Sequence, residues 1–269
     1  MLMKKPMPIS IEFIYQVFAL ILIIIVVHAC YVGIIRPKAD DILARQATLV
    51  AEDKDAVTER SIFVMIRDYE QEACFILMLW ALAIMTYKAI LTIRHRRLLQ
   101  MDLIPLAEGV RILPEDTRNL SRQIQALPDN QRRALLPRAL LAGLQRFTAT
   151  RNVQDVAEAT RNYCEAEADR LESELSMIRY IAWAIPSIGF IGTVRGIGDA
   201  LGQAHKAIEG EIFGVTKSLG VAFNSTLIAL LISIVLMFMM HQLQSYQERY
   251  VLEAGDYCEE NLTQHLYNG

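Results

Sequence analysis

The chain has 269 residues, of which 53% are hydrophobic, and a mean hydropathy of +0.26. These values are too apolar for an ordinary soluble domain, and the net charge of −3 gives no indication of nucleic-acid binding. The four cysteines show neither metal-ligand spacing nor a disulfide framework. We therefore predict an all-α integral membrane protein with about four transmembrane helices.

The first predicted element is a transmembrane helix within residues 1–35. Residues 13–35 contain no Asp, Glu, Lys or Arg, and a bilayer core needs roughly 20 apolar residues of helix. The stretch is longer than the apolar part of a signal peptide, and no small-residue cleavage site follows it, so we interpret it as a retained helix. The mixed charges of residues 36–72 predict an external, periplasmic helical segment.

A second transmembrane helix is predicted at residues 73–93, where Lys88 is the one charged residue. Basic residues flank this pair of spans, since Lys4 and Lys5 precede the first span and residues 94–97 contain three arginines. Two spans place both basic clusters on one side of the membrane, and the positive-inside rule makes that side cytoplasmic. We therefore predict that the N- and C-termini both lie in the cytoplasm.

Residues 94–176 are the largest polar part of the chain and predict a cytoplasmic helical domain. Prolines interrupt it up to residue 137, and from about Val153 an amphipathic, charged pattern continues without a break toward the next span. Residues 241–269 have a similar mixture of acidic and apolar residues, which predicts a cytoplasmic C-terminal helix. We expect these helices to pack against one another as a bundle.

Residues 177–240 predict a hairpin of two further transmembrane helices. Residues 218–240 are uncharged and long enough to span, whereas the preceding stretch is uncharged only over residues 180–194. Arg179 can extend its side chain to the membrane surface, and Arg195 can pair with Asp199 one helical turn on. With these allowances residues 177–200 reach spanning length.

Small residues line one face of each helix in this hairpin. They recur at three- and four-residue spacings, which places them on one side of a helix. The two stripes are Ala182, Pro186, Gly189, Thr193, Gly196 and Ala200, then Ser218, Ala222, Ser225, Ala229 and Ser233. Asn224 and Thr226 flank the second stripe. Two interpretations are open: close packing within one subunit, or a pore wall built by several subunits.

Neither uncharged stretch of the hairpin contains Asp, Glu, Lys, Arg or His. Proton pathways through membranes ordinarily use a carboxylate or a histidine as the carrier. Thr193, Ser225 and Thr226 can hydrogen-bond such a group or offer oxygens to a dehydrated cation, but they cannot carry the charge themselves. If the hairpin lines an ion path, the titrating group must therefore belong to another chain.

A sequence motif in the first helix of the hairpin resembles a known family. Residues 184–197, AIPSIGFIGTVRGI, look like the corresponding helix of the MotA/TolQ/ExbB ion-channel subunits, and the approach to this helix is also similar. Phe223-Asn224-Ser225-Thr226 resembles the small-residue and threonine pattern of the family's last span. The resemblance covers residues 165–240. It implies a homopentamer in the bacterial inner membrane, around two copies of a single-span MotB/ExbD/TolR-like partner.

The same resemblance implies which residues form the ion path. Thr193 and Thr226 match the family's pore threonines, and Pro186 matches the proline near the start of its helix. The predicted path-lining residues are Thr193, Thr226, Ser225, Asn224, Pro186, Gly189, Gly192 and Gly196. Two departures are present. Residues 233–240 lack the proline that many relatives carry, and Arg195 stands where an aromatic or apolar residue is common. Arg195 either sets ion access at the outer mouth or pairs with Asp199, and we favour the pair.

The resemblance also implies a mechanism. The partner's membrane aspartate carries a proton or a sodium ion, and ion flow turns the pentamer around the partner. We therefore expect an ion-conducting channel subunit, with the proton as the favoured ion, that converts ion-motive force into mechanical work. The alternative is a non-conducting membrane scaffold of an envelope complex. The sequence contains no nucleophile constellation, metal cluster or phosphate-binding loop, so we expect neither an enzyme nor a bound cofactor.

Overall fold

The computed structural model describes residues 11–52, 61–105, 111–208 and 212–267. Within these ranges the chain is helical, and β-structure is limited to one isolated bridge between Ile112 and Leu266. Lys4 and Lys5, which contribute to the predicted orientation, lie outside the described residues. The chain divides into two compact units. The first unit contains residues up to Met85 together with Met177–Met239, and the second contains Thr86–Ser176 together with the residues from Met240 onwards.

The first unit begins with one long helix that has a π-helical segment in its middle. Helix α1 covers Ile11–Cys30, the π segment covers Tyr31–Ile35, and α2 covers Arg36–Glu52. Tyr31 and Ile35 are buried, whereas most apolar side chains of α1 are exposed, as expected for a helix that faces lipid. Since a π turn takes up an extra residue, it changes which side chains face inward along the rest of the helix.

The remaining helices follow in chain order. They are α3 (Ile62–Met65), α4 (Tyr69–Arg96), α5 (Thr117–Gln125), α6 (Asp129–Arg132), α7 (Leu135–Thr150), α8 (Val153–Glu174), α9 (Ser176–Gly202), α10 (Ala204–Ile208) and α11 (Phe213–Asn261). Short 3-10 turns follow α4 at Arg97–Gln100 and α11 at Thr263–His265.

Among the described residues, four helical stretches are long and apolar enough to cross a membrane. They are the α1–α2 helix, α4, α9 with the preceding α8, and α11. Helix α9, whose uncharged core is short in the sequence, has 27 residues and therefore exceeds the roughly 20 that a bilayer requires. The expectation of about four membrane-spanning helices is confirmed at the level of helix length and composition.

The spanning helices of the first unit pack in antiparallel pairs. Trp80 on α4 donates a hydrogen bond to the carbonyl of Gln16 on α1 at 3.0 Å. Cys74, close to the start of α4, lies 3.7 Å from the carbonyl oxygen of Ile185 on α9. Ser233 on α11 reaches α9 near its beginning. At the start of α4, Glu72 contacts His28 near the end of α1 and Glu70 contacts Arg195 near the end of α9. Neighbouring helices therefore run in opposite directions, as an up-and-down bundle requires.

The second unit has a core of large aliphatic and aromatic side chains. Helix α7 lies at its centre, and Leu140 and Phe147 of this helix are fully buried. Val156 of α8, Ile124 of α5 and Tyr250 near the end of α11 pack into the same core. The residues predicted to form a polar bundle, 94–176 and 241–269, therefore share one hydrophobic core within this unit.

Two details differ from the sequence-based expectation. The helix expected to run unbroken from about Val153 is interrupted at Leu175, which separates α8 from α9. Helix α11 continues for 49 residues, so the predicted C-terminal helix is the second half of the last span's own helix. The segment 36–72, which the sequence predicts to be external, is helical in α2 and α3, and its residues 53–60 lie outside the described residues.

Candidate functional site

The small faces of α9 and α11 pack against each other within one chain. A Cβ atom added at any of three α9 glycines would lie 2.5 to 2.7 Å from an α11 atom, closer than real Cβ atoms approach their neighbours. The facing pairs are Gly189 with Ala229, Gly192 with Ser225, and Gly196 with Ala222. Glycine is therefore required at these positions, and small residues are the usual means by which membrane helices approach closely.

This contact explains the small stripe as close packing within one subunit. Gly189, Gly192 and Gly196 are buried, and Ser225 is only 1% exposed. These four residues form a contact between two helices of one chain, because the stripe on α11 fills the stripe on α9. That they line an ion path stays a prediction.

Two threonines lie at the edge of this contact, where they remain half-buried. The hydroxyls of Thr193 and Thr226 are hydrogen-bonded to each other, and we call them the hydroxyl pair. Thr226 Oγ1 lies 3.1 Å from the Gly189 carbonyl oxygen, and Thr193 Oγ1 lies 3.0 Å from the Ala222 carbonyl oxygen. Each hydroxyl has one proton and two lone pairs, so the pair keeps acceptor capacity for a cation or a protonated carboxyl group.

Pro186 lies inside α9 and leaves one carbonyl without its helical donor. Proline has no N–H group, so the carbonyl of Ala182 one turn earlier cannot receive the usual helical hydrogen bond. Ser233 Oγ on α11 donates to this carbonyl at 2.9 Å, and both residues are buried. Pro186 and Asn224, the last of the predicted path residues, are both half-buried.

Arg195 makes its main contacts with α4 and not with Asp199. Its guanidinium donates two hydrogen bonds to Glu70, at 2.7 and 2.8 Å, and approaches the Asp68 carboxylate to 3.8 Å. Glu70 thus takes the place that the sequence analysis gave to Asp199, and among the described contacts no hydrogen bond or ion pair joins Arg195 to Asp199. A planar guanidinium binds best to a carboxylate that can accept two parallel hydrogen bonds, and Glu70 is placed to do so.

The hairpin lies within the part of the chain that matches a known protein family. Residues 131–255 match the MotA/TolQ/ExbB proton channel family, and the matched range contains both helices of the hairpin, the glycine contacts and the hydroxyl pair. The chain carries a MotA/TolQ/ExbB family domain. With four helices of spanning length and this domain, it is a multi-pass membrane protein. No curated protein and no solved structure matches the chain.

The MotA/TolQ/ExbB domain contacts polar residues of α4 that lie outside the matched range and that the sequence analysis missed. Gln71 is fully buried, and its Nε2 lies 3.1 Å from the Met65 carbonyl oxygen and 3.4 Å from Ser225 Oγ. Its Oε1 has no hydrogen-bond partner within the described part of the chain. The one available signal was a polar run at residues 67–72 directly before an apolar span, and its composition alone did not distinguish a buried cluster from a solvated loop.

Two further charged contacts tie the start of α4 to the α1–α2 helix. His28 Nδ1 lies 2.7 Å from one carboxylate oxygen of Glu72, and Arg36 donates to the other. The guanidinium of Arg36 also lies 4.2 Å from the centre of the Tyr69 ring. The Glu72 carboxylate thus has a polar partner at each oxygen, and Arg36 compensates its charge, as a buried charge requires. In the described residues, no group of His, Cys, Asp and Glu has the arrangement of a metal site.

Asp68 lies just before α4, beside the ion pair of Glu70 and Arg195. Burial raises the pKa of its carboxyl group, and the nearby Arg195 and Arg67 oppose that rise. The carboxylate is thus partly desolvated and only weakly paired, since its closest approach to Arg195 is 3.8 Å.

Proposed function

We propose that this chain is an ion-conducting subunit of a motor-like membrane complex that converts ion-motive force into mechanical work. The observation that carries the proposal is the hydroxyl pair inside a MotA/TolQ/ExbB domain. It lies at the edge of two helices whose stretches 180–194 and 218–240 contain no Asp, Glu, Lys, Arg or His. Half-buried hydroxyls at a helix–helix edge can receive a cation or a carboxyl group from a neighbouring helix. The proton is the favoured ion, and sodium is the second candidate.

The charge carrier in this proposal comes from a partner. The uncharged stretches 180–194 and 218–240 contain no group that can take up and release a proton. The family is associated with partners of the MotB/ExbD/TolR type. We propose two copies of such a single-span protein, each with one membrane aspartate that passes the hydroxyl pairs in turn.

Five copies of the chain surround the partner in the proposed complex. The glycine contacts hold each hairpin as a rigid element, and the half-buried edge with Thr193 and Thr226 faces the partner. We place the complex in the bacterial inner membrane, with the arginines of residues 94–97 and both termini in the cytoplasm. Ion transfer of this kind makes and breaks only the O–H bond of a proton carrier, converts no substrate and needs no bound cofactor, so we propose a channel subunit and not an enzyme.

A second candidate is a membrane scaffold that does not conduct ions. The glycine contacts favour it, because tight helix packing at Gly189, Gly192 and Gly196 is itself sufficient to explain why small residues line this interface. The scaffold differs from the channel in one respect that can be measured, since it binds partners without passing ions.

The test is co-purification with the product of the adjacent gene, followed by subunit counting and ion-flux measurement in liposomes. The channel predicts five copies of this chain, two copies of a single-span protein with a membrane aspartate, and flux driven by an imposed gradient. Replacement of that aspartate by asparagine must stop the flux while the complex stays intact. An intact complex without flux under either a proton or a sodium gradient supports the scaffold, and a monomeric chain contradicts both.

A further inference from the structure

The first turn of α4 connects the external segment of the chain to the hairpin. On the hairpin side, Glu70 accepts two hydrogen bonds from Arg195 near the end of α9. The Glu70 side chain is 11% exposed, so this ion pair is largely removed from water on its carboxylate side. Its aliphatic part is also in contact with α9, because a Cβ added at Gly192 would lie 3.2 Å from Glu70 Cγ. The glycine before Thr193 therefore makes room for Glu70 as well as for α11.

Gln71 makes a second connection, to the other helix of the hairpin. Its amide nitrogen lies between the Met65 carbonyl oxygen and the hydroxyl oxygen of Ser225. Ser225 directly precedes Thr226 in the chain. A fully buried amide with an unsatisfied oxygen costs on the order of 1–3 kcal/mol. Since an apolar residue would avoid that cost, the amide has a use that packing does not explain.

The external segment is held at the opposite side of the same turn. Arg67 lies 3.3 Å from Asp40 on α2, and Gln71 holds the carbonyl at the end of α3. A continuous set of contacts thus leads from α2 and α3, through residues 67–71, to Arg195 and Ser225. These two residues stand near the two members of the hydroxyl pair along their helices.

We propose that Glu70 and Gln71 are positioning residues that latch the external segment onto the hairpin and hold its external end closed over the hydroxyl pair. Release of the latch opens this end, so that force or binding at the external segment controls access to the ion path. The structural part of the proposal concerns this chain alone, and its role in ion access rests on the proposed function.

A native thiol reports on the latch. Cys74 lies one helical turn after Gln71 on α4, is fully buried, and contacts α9 through its sulfur. In the full-length chain in liposomes, a small cationic methanethiosulfonate reagent added from outside is expected to leave Cys74 unmodified. Peptide mass spectrometry assigns the label to Cys74 separately from the exposed Cys30.

Glu70→Gln and Arg195→Gln are each expected to raise the labelling rate of Cys74 by about tenfold, because the loss of a charge-assisted pair shifts a local opening equilibrium by about that factor. Gln71→Leu is expected to raise it less, since the two hydrogen bonds that it loses, to the Met65 carbonyl and to Ser225, involve no charged group. Arg45→Gln is the matched control, because Arg45 pairs with Asp41 on the exposed surface of the same external segment. It must leave the rate unchanged.

The double variant Glu70→Arg with Arg195→Glu restores the charges in the reverse order and is expected to restore protection of Cys74. Protection in both single variants, or labelling that is as fast in the double variant as in the singles, would overturn the proposal. Unfolding cannot mimic the expected result, because it would expose Cys164 and Cys258 too, and these must stay unlabelled. The measurement needs neither partner nor ion flow, so it fails or succeeds separately from the proposed function.

Discussion

The contact between α9 and α11 and the core of the second unit are built from opposite kinds of residue. The first brings glycine, alanine and serine so close that no added Cβ fits. The second buries leucine, isoleucine, phenylalanine and tyrosine around α7. In water, large apolar side chains drive association because they leave the solvent. In lipid that driving force is absent, and close backbone approach with hydroxyl hydrogen bonds replaces it.

The comparison separates two classes of substitution. In the second unit, loss of volume is the damaging change. In the α9–α11 contact, gain of volume is the damaging change, and loss of a hydroxyl has a smaller effect.

Phe147→Ala is expected to have the largest effect. Phe147 is fully buried in the second unit, and truncation of such a side chain costs about 3–5 kcal/mol. Hydrogen exchange by mass spectrometry in detergent is expected to show faster exchange in α5, α7 and α8. The helices of the hairpin should keep their protection from exchange. If α9 lost as much protection as α7, the stability of the hairpin would depend on the core of the second unit, and the comparison would be contradicted.

Gly196→Ala is expected to destabilise the α9–α11 contact by about 1–3 kcal/mol, because the added methyl group meets the backbone of α11. Gly198→Ala is its matched control, since nothing lies within 4 Å of a Cβ at that position. It should stabilise α9 by up to about 1 kcal/mol, the difference in helix propensity between glycine and alanine. Thermal unfolding in detergent measures both, and equal shifts of the two variants would contradict the packing interpretation.

Ser233→Ala removes the hydrogen bond to the Ala182 carbonyl that Pro186 leaves open. We expect a loss of about 0.6–1.5 kcal/mol, the range found for hydrogen bonds between membrane helices. Ser187→Ala serves as the comparison, because this exposed hydroxyl bonds only to the Trp183 carbonyl of its own helix among the contacts described. A loss at Ser187 as large as that at Ser233 would remove the proposed link between the proline and the hydroxyl.

Asp68→Asn is expected to have the smallest effect and the opposite sign. Burial raises the pKa of Asp68 in the folded chain above its value of about 3.9 in the unfolded chain. The protonated side chain therefore contributes to stability below about pH 3.9, and this contribution is lost as the pH rises through the pKa of the folded state. The neutral asparagine avoids that loss, so the variant should unfold at a slightly higher temperature at pH 7 and lose its advantage below about pH 4. An advantage that persists at low pH would point to packing and not to ionisation.

The spans and the family could be predicted from the sequence because each depends on local information. An uncharged stretch of sufficient length predicts a spanning helix wherever its partners lie, and the motif at residues 184–197 lies on one helix. The same resemblance singled out Thr193 and Thr226, but it did not predict that their hydroxyls are hydrogen-bonded to each other.

The contacts of α4 could not be predicted in this way. Glu70 and Arg195 lie far apart in the sequence, and no periodicity relates them, so the local alternative Asp199 was favoured. The burial of the glycines could not be predicted without knowing which helix packs against them, because a small stripe has the same spacing whether it faces a helix or a pore. In both cases the missing information was the identity of the neighbouring helix.

Ion flux through the reconstituted complex with the hydroxyl pair removed tests the central claim most directly. Thr193→Val with Thr226→Val keeps the shape of both side chains and removes both hydroxyls. Thr216→Val is the control, because its exposed hydroxyl bonds to the carbonyl of Phe213 in its own helix and to that of Ile212 just before it. We predict that the double variant assembles with its partner in the wild-type ratio and loses at least about tenfold of its flux, the effect of losing about 1.4 kcal/mol of hydrogen bonding to the ion or its carrier. Wild-type flux in the double variant would contradict the proposed ion path.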